Sequence, residues 1–303
     1  MLYKEIQIDN LHASLYLPDE DIKAIIQVTH GMSEHMGRYK HMAELLCKEG
    51  IGLAGFDLRG HGKNNIDSDC ASLGVDGWTQ TLNDMNCFYK YINNSYPSIP
   101  VFMLGFSLGS FLLREYLNTY DVNIHGAIIV GTGYQPSFIL DIMTKIVKTQ
   151  INKSGFNQTT PLVQKLSFET YNHKFQNTKT MFDWLCSDEH EVNLYINDEL
   201  CKDSISSGLF YQLLKSMKYT SKSESMNNYN KDLPILLMSG DKDPVGDFSK
   251  GVKKVKDIMN DNKIYNVDMK LYANARHDLF HELDSHTAYH AINDLIIWIN
   301  KNL

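Results

Sequence analysis

Val101-Phe102-Met103-Leu104-Gly105-Phe106-Ser107-Leu108-Gly109-Ser110-Phe111-Leu112-Leu113-Arg114-Glu115-Tyr116 reads as a short apolar run, a serine between two glycines, and then a helical pattern. The run has the length and composition of a buried strand. Leu108, Phe111, Leu112 and Tyr116 follow at the spacing that lines one face of a helix, so Ser107 is expected at a strand-to-helix corner. Side chains on either flank would crowd so tight a corner. Gly105 and Gly109 leave room for a strained turn that pushes the Ser107 hydroxyl into a cleft. A Gly-x-Ser-x-Gly pentapeptide alone is weak evidence, and the flanking pattern gives it weight.

Outward from that corner, strands and helices alternate. Ile6 and Ile8, then Ala13, Leu15 and Leu17, flank an Asp9-Asn10 turn and predict an antiparallel hairpin at a sheet edge. Ala24 to Val28, Gly52 to Phe56 and Gly126 to Val130 read as buried strands. Tyr39 to Lys48 and Trp78 to Ile92 read as helices between them. The rhythm stops near Tyr134 and returns at Ile235-Leu236-Leu237-Met238. An amphipathic segment from Phe248 to Met259, a strand from Val267 to Tyr272 and a closing helix ending at Trp298 follow. Short apolar strands alternating with helices imply a mostly parallel central sheet with helices on both faces. The fold class is α/β, with residues 1–134 and 232–303 forming the core and 135–231 a helical insertion.

At 303 residues the chain is long enough for one large core. Its formal charge of −7 offers no basic stripe to neutralise phosphates, so nucleic acid is not an expected partner. The amino terminus lacks the pattern of a signal peptide, and no apolar run would span a bilayer. The cysteines, five in number, are scattered without a C-x-x-C pair. They read as reduced thiols of a cytoplasmic protein that has neither a disulfide frame nor a zinc site. No cofactor is expected, since phosphate-binding glycine spacing is missing and His281-Glu282 departs from the H-E-x-x-H pattern. His286 and His290 read as a solvated helix face.

A serine hydroxyl needs a base within hydrogen-bond reach and a third group to orient that base. In open parallel sheets such groups sit on loops at the carboxyl ends of strands. After the Ile235-to-Met238 strand come Asp241, Asp243 and Asp247, of which Asp243 is favoured because it lies farther along the loop and precedes a stiffening proline. After the Val267-to-Tyr272 strand comes His277, favoured over His281, which is expected to start the last helix. The chain order Ser, Asp, His is that of α/β-hydrolases. An oxyanion hole needs two backbone N–H groups, expected from Leu108 at the helix N-terminus and from Met32 in the loop His30-Gly31-Met32-Ser33-Glu34-His35. Asp57-Leu58-Arg59-Gly60-His61-Gly62 is expected to be a strand-end turn whose ion pairs shape the site.

Five blocks in order resemble the monoacylglycerol lipase and lysophospholipase branch of the α/β-hydrolase superfamily. They are His30-Gly31-x-x-Glu34-His35-x-x-Arg38-Tyr39, Phe56-Asp57-x-Arg59-Gly60-His61-Gly62, Gly105-Phe106-Ser107-Leu108-Gly109, Gly240-x-x-Asp243 and Ala275-Arg276-His277. Phe182-Asp183-Trp184-Leu185 with Asp188-Glu189 is similar to bacterial members. The resemblance implies an α/β-hydrolase fold with a cap, Ser107, Asp243 and His277 as triad, and Met32 and Leu108 as oxyanion donors. It also implies Glu34, His35 and Arg38 near the polar end of the substrate pocket. Animal members carry a histidine just before the nucleophile, where this chain has Phe106.

The insertion is rich in large apolar groups. Phe138, Ile139, Ile142, Met143, Ile146 and Val147 recur at helical spacing, with Phe168, Trp184, Phe210 and Leu214 among those that follow. They would wall an acyl tunnel, touch a membrane surface transiently, or pack the insertion onto the core. The expected partner is a small-molecule ester or lipid substrate.

Overall fold

The computed structural model describes residues 1–65, 68–283 and 286–303. One eight-stranded sheet runs in the order β1-β2-β4-β3-β5-β6-β7-β8. Its strands are β1 (Leu2–Ile8), β2 (Leu11–Leu17), β3 (Ala24–Thr29), β4 (Ile51–Phe56), β5 (Val101–Phe106), β6 (Gly126–Val130), β7 (Ile235–Gly240) and β8 (Val267–Tyr272). The hairpin β1–β2 is antiparallel and joins β4 antiparallel, and all remaining pairs are parallel.

Alternation along the buried strands sorts side chains into two layers. Ile25, Met103, Ile129 and Leu237 enter one layer, and Ile26, Leu104, Ile128 and Leu236 the other. The first layer takes Phe88 of helix α2 (Gly77–Ser95), Phe111 of α3 (Leu108–Thr119) and apolar groups of the insertion. The second takes Leu46 of α1 (Lys40–Lys48) and Trp298 from the final helix, Thr287–Lys301. Helices on both faces explain why these strands read as nearly continuous apolar runs.

Between β6 and β7 the chain runs through α4 (Ser137–Ser154), α5 (Pro161–Gln164), a π-helical turn (Lys165–Glu169), α6 (Thr170–Asn172), α7 (Glu189–Asn197) and α8 (Ser207–Thr220). Thr160, Asp188 and Ser206 accept backbone N–H groups at the starts of α5, α7 and α8, as N-cap residues do. Most of the insertion's apolar groups serve packing: Phe168, Phe182, Phe210 and Leu214 belong to the core layer over α2 and α3. On α4, by contrast, Leu140 and Val147 are buried while Phe138, Ile142 and Ile146 are exposed.

Two boundaries differ from expectation. Helix α9 (Lys250–Asp261) begins after Asp247, Phe248 and Ser249, all of which take positive φ and cannot continue a helix. The last helix, α10 (Thr287–Lys301), begins well after His281, which instead ends a short 3-10 turn, Leu279–His281. Glu282 explains the delay: its carboxylate accepts the Arg276 and Ser187 N–H groups, at 2.7 and 3.1 Å, and pins the segment to the preceding loop.

Buried polar contacts join the loops at the carboxyl edge of the sheet. His30 Nε2 accepts the Leu58 N–H at 2.9 Å, while its Nδ1–H donates to Gly31 O at 2.7 Å. Neighbouring His61 donates from Nδ1 to Arg59 O at 2.9 Å. Burial lowers both imidazoles, His61 to about 4. Asp57 takes no part in an Arg59 ion pair, because Arg59 turns to Asp84 of α2. It accepts instead the Met36 and Lys63 N–H groups, at 2.8 and 2.9 Å, and so shapes the loop after β3 through hydrogen bonds. Arg114 of α3, 1% exposed, donates to Thr132, Gly133 O and Thr220 O and thereby fastens α3 to the end of α8.

Two outcomes follow from this packing. A Cβ on Gly109 would lie 1.9 Å from Thr29 O. Gly109→Ala is therefore expected to lower unfolding free energy by about 3 kcal/mol or more in urea titration, and a loss below about 0.5 kcal/mol would contradict the crowding. A buried histidine whose folded pKa lies below its unfolded one favours folding above the unfolded value and loses that contribution as pH falls. Stability is thus expected to drop between pH 6.5 and about 4, the interval over which the unfolded chain protonates and His61 does not. His61→Asn, which keeps the bond to Arg59 O, should remove roughly 3 kcal/mol of that drop. Identical pH profiles for the two proteins would contradict the assignment.

Candidate active site

β3 pairs with β4 on one side and β5 on the other, so the chain reverses its winding between β3 and β5. Loops leaving the carboxyl ends on either side of such a point diverge and open a crevice. Thr29 pairs with Gly105, and Phe106 with Val130, which starts the loops after β3, β5 and β6 side by side. The Met32 loop, Ser107, Asp243 after β7 and His277 after β8 all fall on this edge.

Ser107 takes φ 51° and ψ −115°, a conformation that few residues other than glycine adopt. Its N–H donates to Val130 O at 2.9 Å and its carbonyl accepts the Ser110 N–H and hydroxyl, so the strain is held from both sides. Beside Gly109, Gly105 is equally confined, since a Cβ there would lie 2.3 Å from Gly109 O. Helix α3 begins at Leu108, whose N–H therefore has no intrahelical acceptor.

Of the three loop aspartates, the structure brings Asp243 to His277. The Asp243 Oδ1 accepts His277 Nδ1–H at 2.9 Å and the Val245 N–H at 2.8 Å, with both side chains buried. This bond fixes the tautomer that leaves Nε2 as the basic nitrogen, and Nε2 finds no hydrogen-bond partner among the described residues. Asp241 accepts the Asn274 N–H farther out, and Asp247 is exposed. The His277 ring lies between Phe106 and Trp184, each 5.0 Å away centroid to centroid.

The loop after β3 is held by a buried ionic network. Glu34 accepts the Gly31 N–H and the Tyr39 hydroxyl on one oxygen and Arg38 Nε, at 3.2 Å, on the other. Arg38 also donates to Asp278 Oδ2 at 2.8 Å, and its guanidinium lies over the Tyr195 ring. Burial alone would raise the Asp278 carboxyl, but His281, whose Nδ1 lies 2.9 Å away, and Arg38 hold it well below the usual carboxylate range. With Gly31 N–H already committed to Glu34, the next backbone donor on this loop is that of Met32, which lines the cavity beside Ser107.

The three residues expected at the polar end of the pocket divide. Glu34 lines the cavity, whereas Arg38 is turned to Glu34 and Asp278, and His35 to Asp198 of the insertion at 2.9 Å. The reason is electrostatic: a buried guanidinium between two carboxylates gains more from them than from a neutral alcohol. His35, Asp198 and Cys201 bring ligand atoms within 4.8 Å of one another. They fit a hydrogen-bonded clasp better than a cation site. His35 Nδ1 accepts the Gly37 N–H at 3.1 Å, which leaves the proton on the Nε2 that a metal would need, and the charge of Arg38 bears on Cys201.

The cavity beside Ser107 measures about 20 Å³, room for roughly one water. Phe168, Trp184, Leu185 and Tyr195 of the insertion line it. A strained serine at a helix N-terminus and a carboxylate-oriented imidazole are parts that acyl transfer requires.

A family model described as serine aminopeptidase, S33, matches residues 20–284. The monoglyceride lipase homolog of Monkeypox virus is 26% identical over 278 residues, 91% of this chain and 89% of that one. The monoglyceride lipase of Rattus norvegicus is 25% identical over 298 residues, 97% of this chain and 88% of that one. Among solved structures, a thermostable carboxyl esterase from Bacillus coagulans in complex with glycerol superposes with a TM-score of 0.89 at 26% identity, covering 99% of this chain and 98% of that one. Matched across most of its length and sharing the architecture of these neighbours, the chain belongs to the serine aminopeptidase S33 family and has the α/β-hydrolase fold.

Proposed function

We propose that this protein is a serine hydrolase that cleaves carboxylic esters of acyl lipids, such as monoacylglycerol or lysophospholipid, through an acyl-enzyme on Ser107. The observation that carries the reading is the buried 2.9 Å bond between His277 and Asp243 on the strand edge that also presents Ser107. The relatives named as monoglyceride lipases and the esterase solved with glycerol support esters as the substrate class.

In this mechanism His277 Nε2 takes the Ser107 proton as the hydroxyl attacks the acyl carbon, and Asp243 holds and stabilises the imidazolium. The N–H groups of Met32 and Leu108 receive the oxyanion. The alcohol leaves with the proton from His277, and water, activated by the same nitrogen, releases the acid. Residues 135–231 act as a cap over a core made of 1–134 and 232–303. Because the cavity beside Ser107 is far smaller than a lipid ester, substrate entry in this reading calls for a shift of the cap. The exposed face of α4 formed by Phe138, Ile142 and Ile146 serves transient contact with a membrane surface, from which a cytoplasmic enzyme would draw its lipid.

Ser107→Ala is expected to abolish both ester hydrolysis and labelling by a fluorophosphonate. Asp243→Asn should lower kcat by about 10⁴, the order seen when a triad carboxylate is neutralised, while Asp241→Asn stays within about twofold of wild type. Comparable losses in the two aspartate variants would break the assignment. Matched assays on an aryl acetate, a monoacylglycerol and a lysophospholipid should favour the long-chain esters. Activity confined to the acetate would point to a short-chain esterase, and activity on aminoacyl amides alone to a peptidase. Ile142→Ser is expected to slow hydrolysis of monoacylglycerol in vesicles several-fold and to leave hydrolysis of a dissolved ester unchanged; equal rates on vesicles would remove the surface role of α4.

A further inference from the structure

The hydrogen-bonding groups of the catalytic cavity can be followed to their partners one by one. Among its side-chain donors, the Tyr195 hydroxyl donates to Ser33 O at 3.1 Å and His277 Nδ1–H to Asp243. Ser107 carries the reacting hydroxyl. What is left is the indole N–H of Trp184, which is buried and has no acceptor among the described residues, on a residue 4% exposed that lines this cavity. A buried N–H without a partner costs about 1–3 kcal/mol, so its retention on a residue that lines the cavity points to a ligand atom that satisfies it.

The position of Trp184 limits which ligand atom that is. Its ring is tilted 38° against the His277 imidazole at 5.0 Å. The acyl oxygen turns toward Met32 and Leu108, whereas the leaving oxygen must approach His277 Nε2 to receive its proton. A donor stacked on His277 therefore neighbours the alcohol half of the ester. We infer that Trp184 is a specificity-determining residue whose indole N–H donates to a hydroxyl oxygen on the leaving alcohol, selecting esters of polyols over esters of plain alcohols. This rests on the ester-hydrolase reading above.

The segment that carries Trp184 is fixed to the catalytic histidine's own loop. Arg276, adjacent to His277, donates to Asp183 O and to Cys186 O, the latter at 3.1 Å. The Asp278 N–H donates to Leu185 O at 2.7 Å, and the Trp184 N–H of the backbone donates to Asn172 Oδ1 at 2.9 Å. Tyr171 packs against the indole at 4.8 Å. A donor held on both sides of its own residue has the rigidity that selectivity between similar alcohols needs.

The test compares two esters of one acyl chain, the glyceryl ester and the propyl ester, in wild type and in Trp184→Phe, which keeps a ring and deletes the N–H. Wild type is expected to show a KM for the glyceryl ester about tenfold below that for the propyl ester, the worth of one hydrogen bond. In Trp184→Phe the ratio of propyl to glyceryl KM should fall about tenfold, to near one, whatever change the two esters share. Equal losses on both esters would make the indole a packing group, and no loss on either would remove it from recognition. The wild-type comparison alone decides the matter should Trp184→Phe fail to fold, because equal KM values for the two esters overturn the proposal. Failure of the ester-hydrolase reading is separate and visible, since wild type would then turn over neither ester.

Discussion

The carboxyl edge of this sheet is organised by how near α3 passes to the end of β3. A Cβ on Gly109 would sit 1.9 Å from Thr29 O, and one on Gly105 would sit 2.3 Å from Gly109 O. Only a helix that starts this abruptly after β5 leaves Ser107 at the apex with φ 51°. The same approach brings the first turn of α3 beside the start of the loop after β3, since a Cβ on Gly109 would also lie 2.8 Å from His30 O.

The remaining parts are placed by contacts between segments far apart in the chain. Glu34, Arg38 and Asp278 link the loop after β3 to the residue that follows His277. Arg276, Glu282 and the 183–187 segment of the insertion close the other side of that loop. Charged groups in these links spend their hydrogen bonds on one another, so they hold loops and do not read substrate. Among the described residues, the side-chain donors of this cavity are committed apart from the reacting Ser107 hydroxyl and the Trp184 indole N–H, which is why the proposed choice of alcohol falls to one tryptophan.

Much of this was legible in the sequence because it rests on local rules. The strand-to-helix corner, the alternation of strands and helices, and the strand-end positions of Asp243 and His277 all follow from periodicity and turn chemistry. Asp243 and Asp241 could be ranked from their place on the loop but not separated, because burial beneath His277 and the bond to Val245 depend on how the loop closes. Arg38 and His35 were expected to face substrate; their partners, Asp278 and Asp198, lie too far along the chain for spacing to reveal them. His281 was expected to open the last helix because the carboxylate of Glu282, which prevents it, acts on residues on the preceding loop and in the insertion. The aromatic richness of the insertion was plain, yet nothing in its pattern distinguishes Trp184 at the imidazole from Phe182 or Phe210 in the core.

The central claim is that Ser107 carries the acyl group during turnover. Its most direct test is to mix the enzyme with an activated ester, quench in acid within one turnover, digest with trypsin and weigh the fragment Tyr91 to Arg114. The mechanism predicts that this fragment gains the mass of the acyl group, with fragmentation placing it on Ser107. Turnover of the ester with the acyl group on another residue, or with none trapped under conditions where acylation outpaces deacylation, would contradict it.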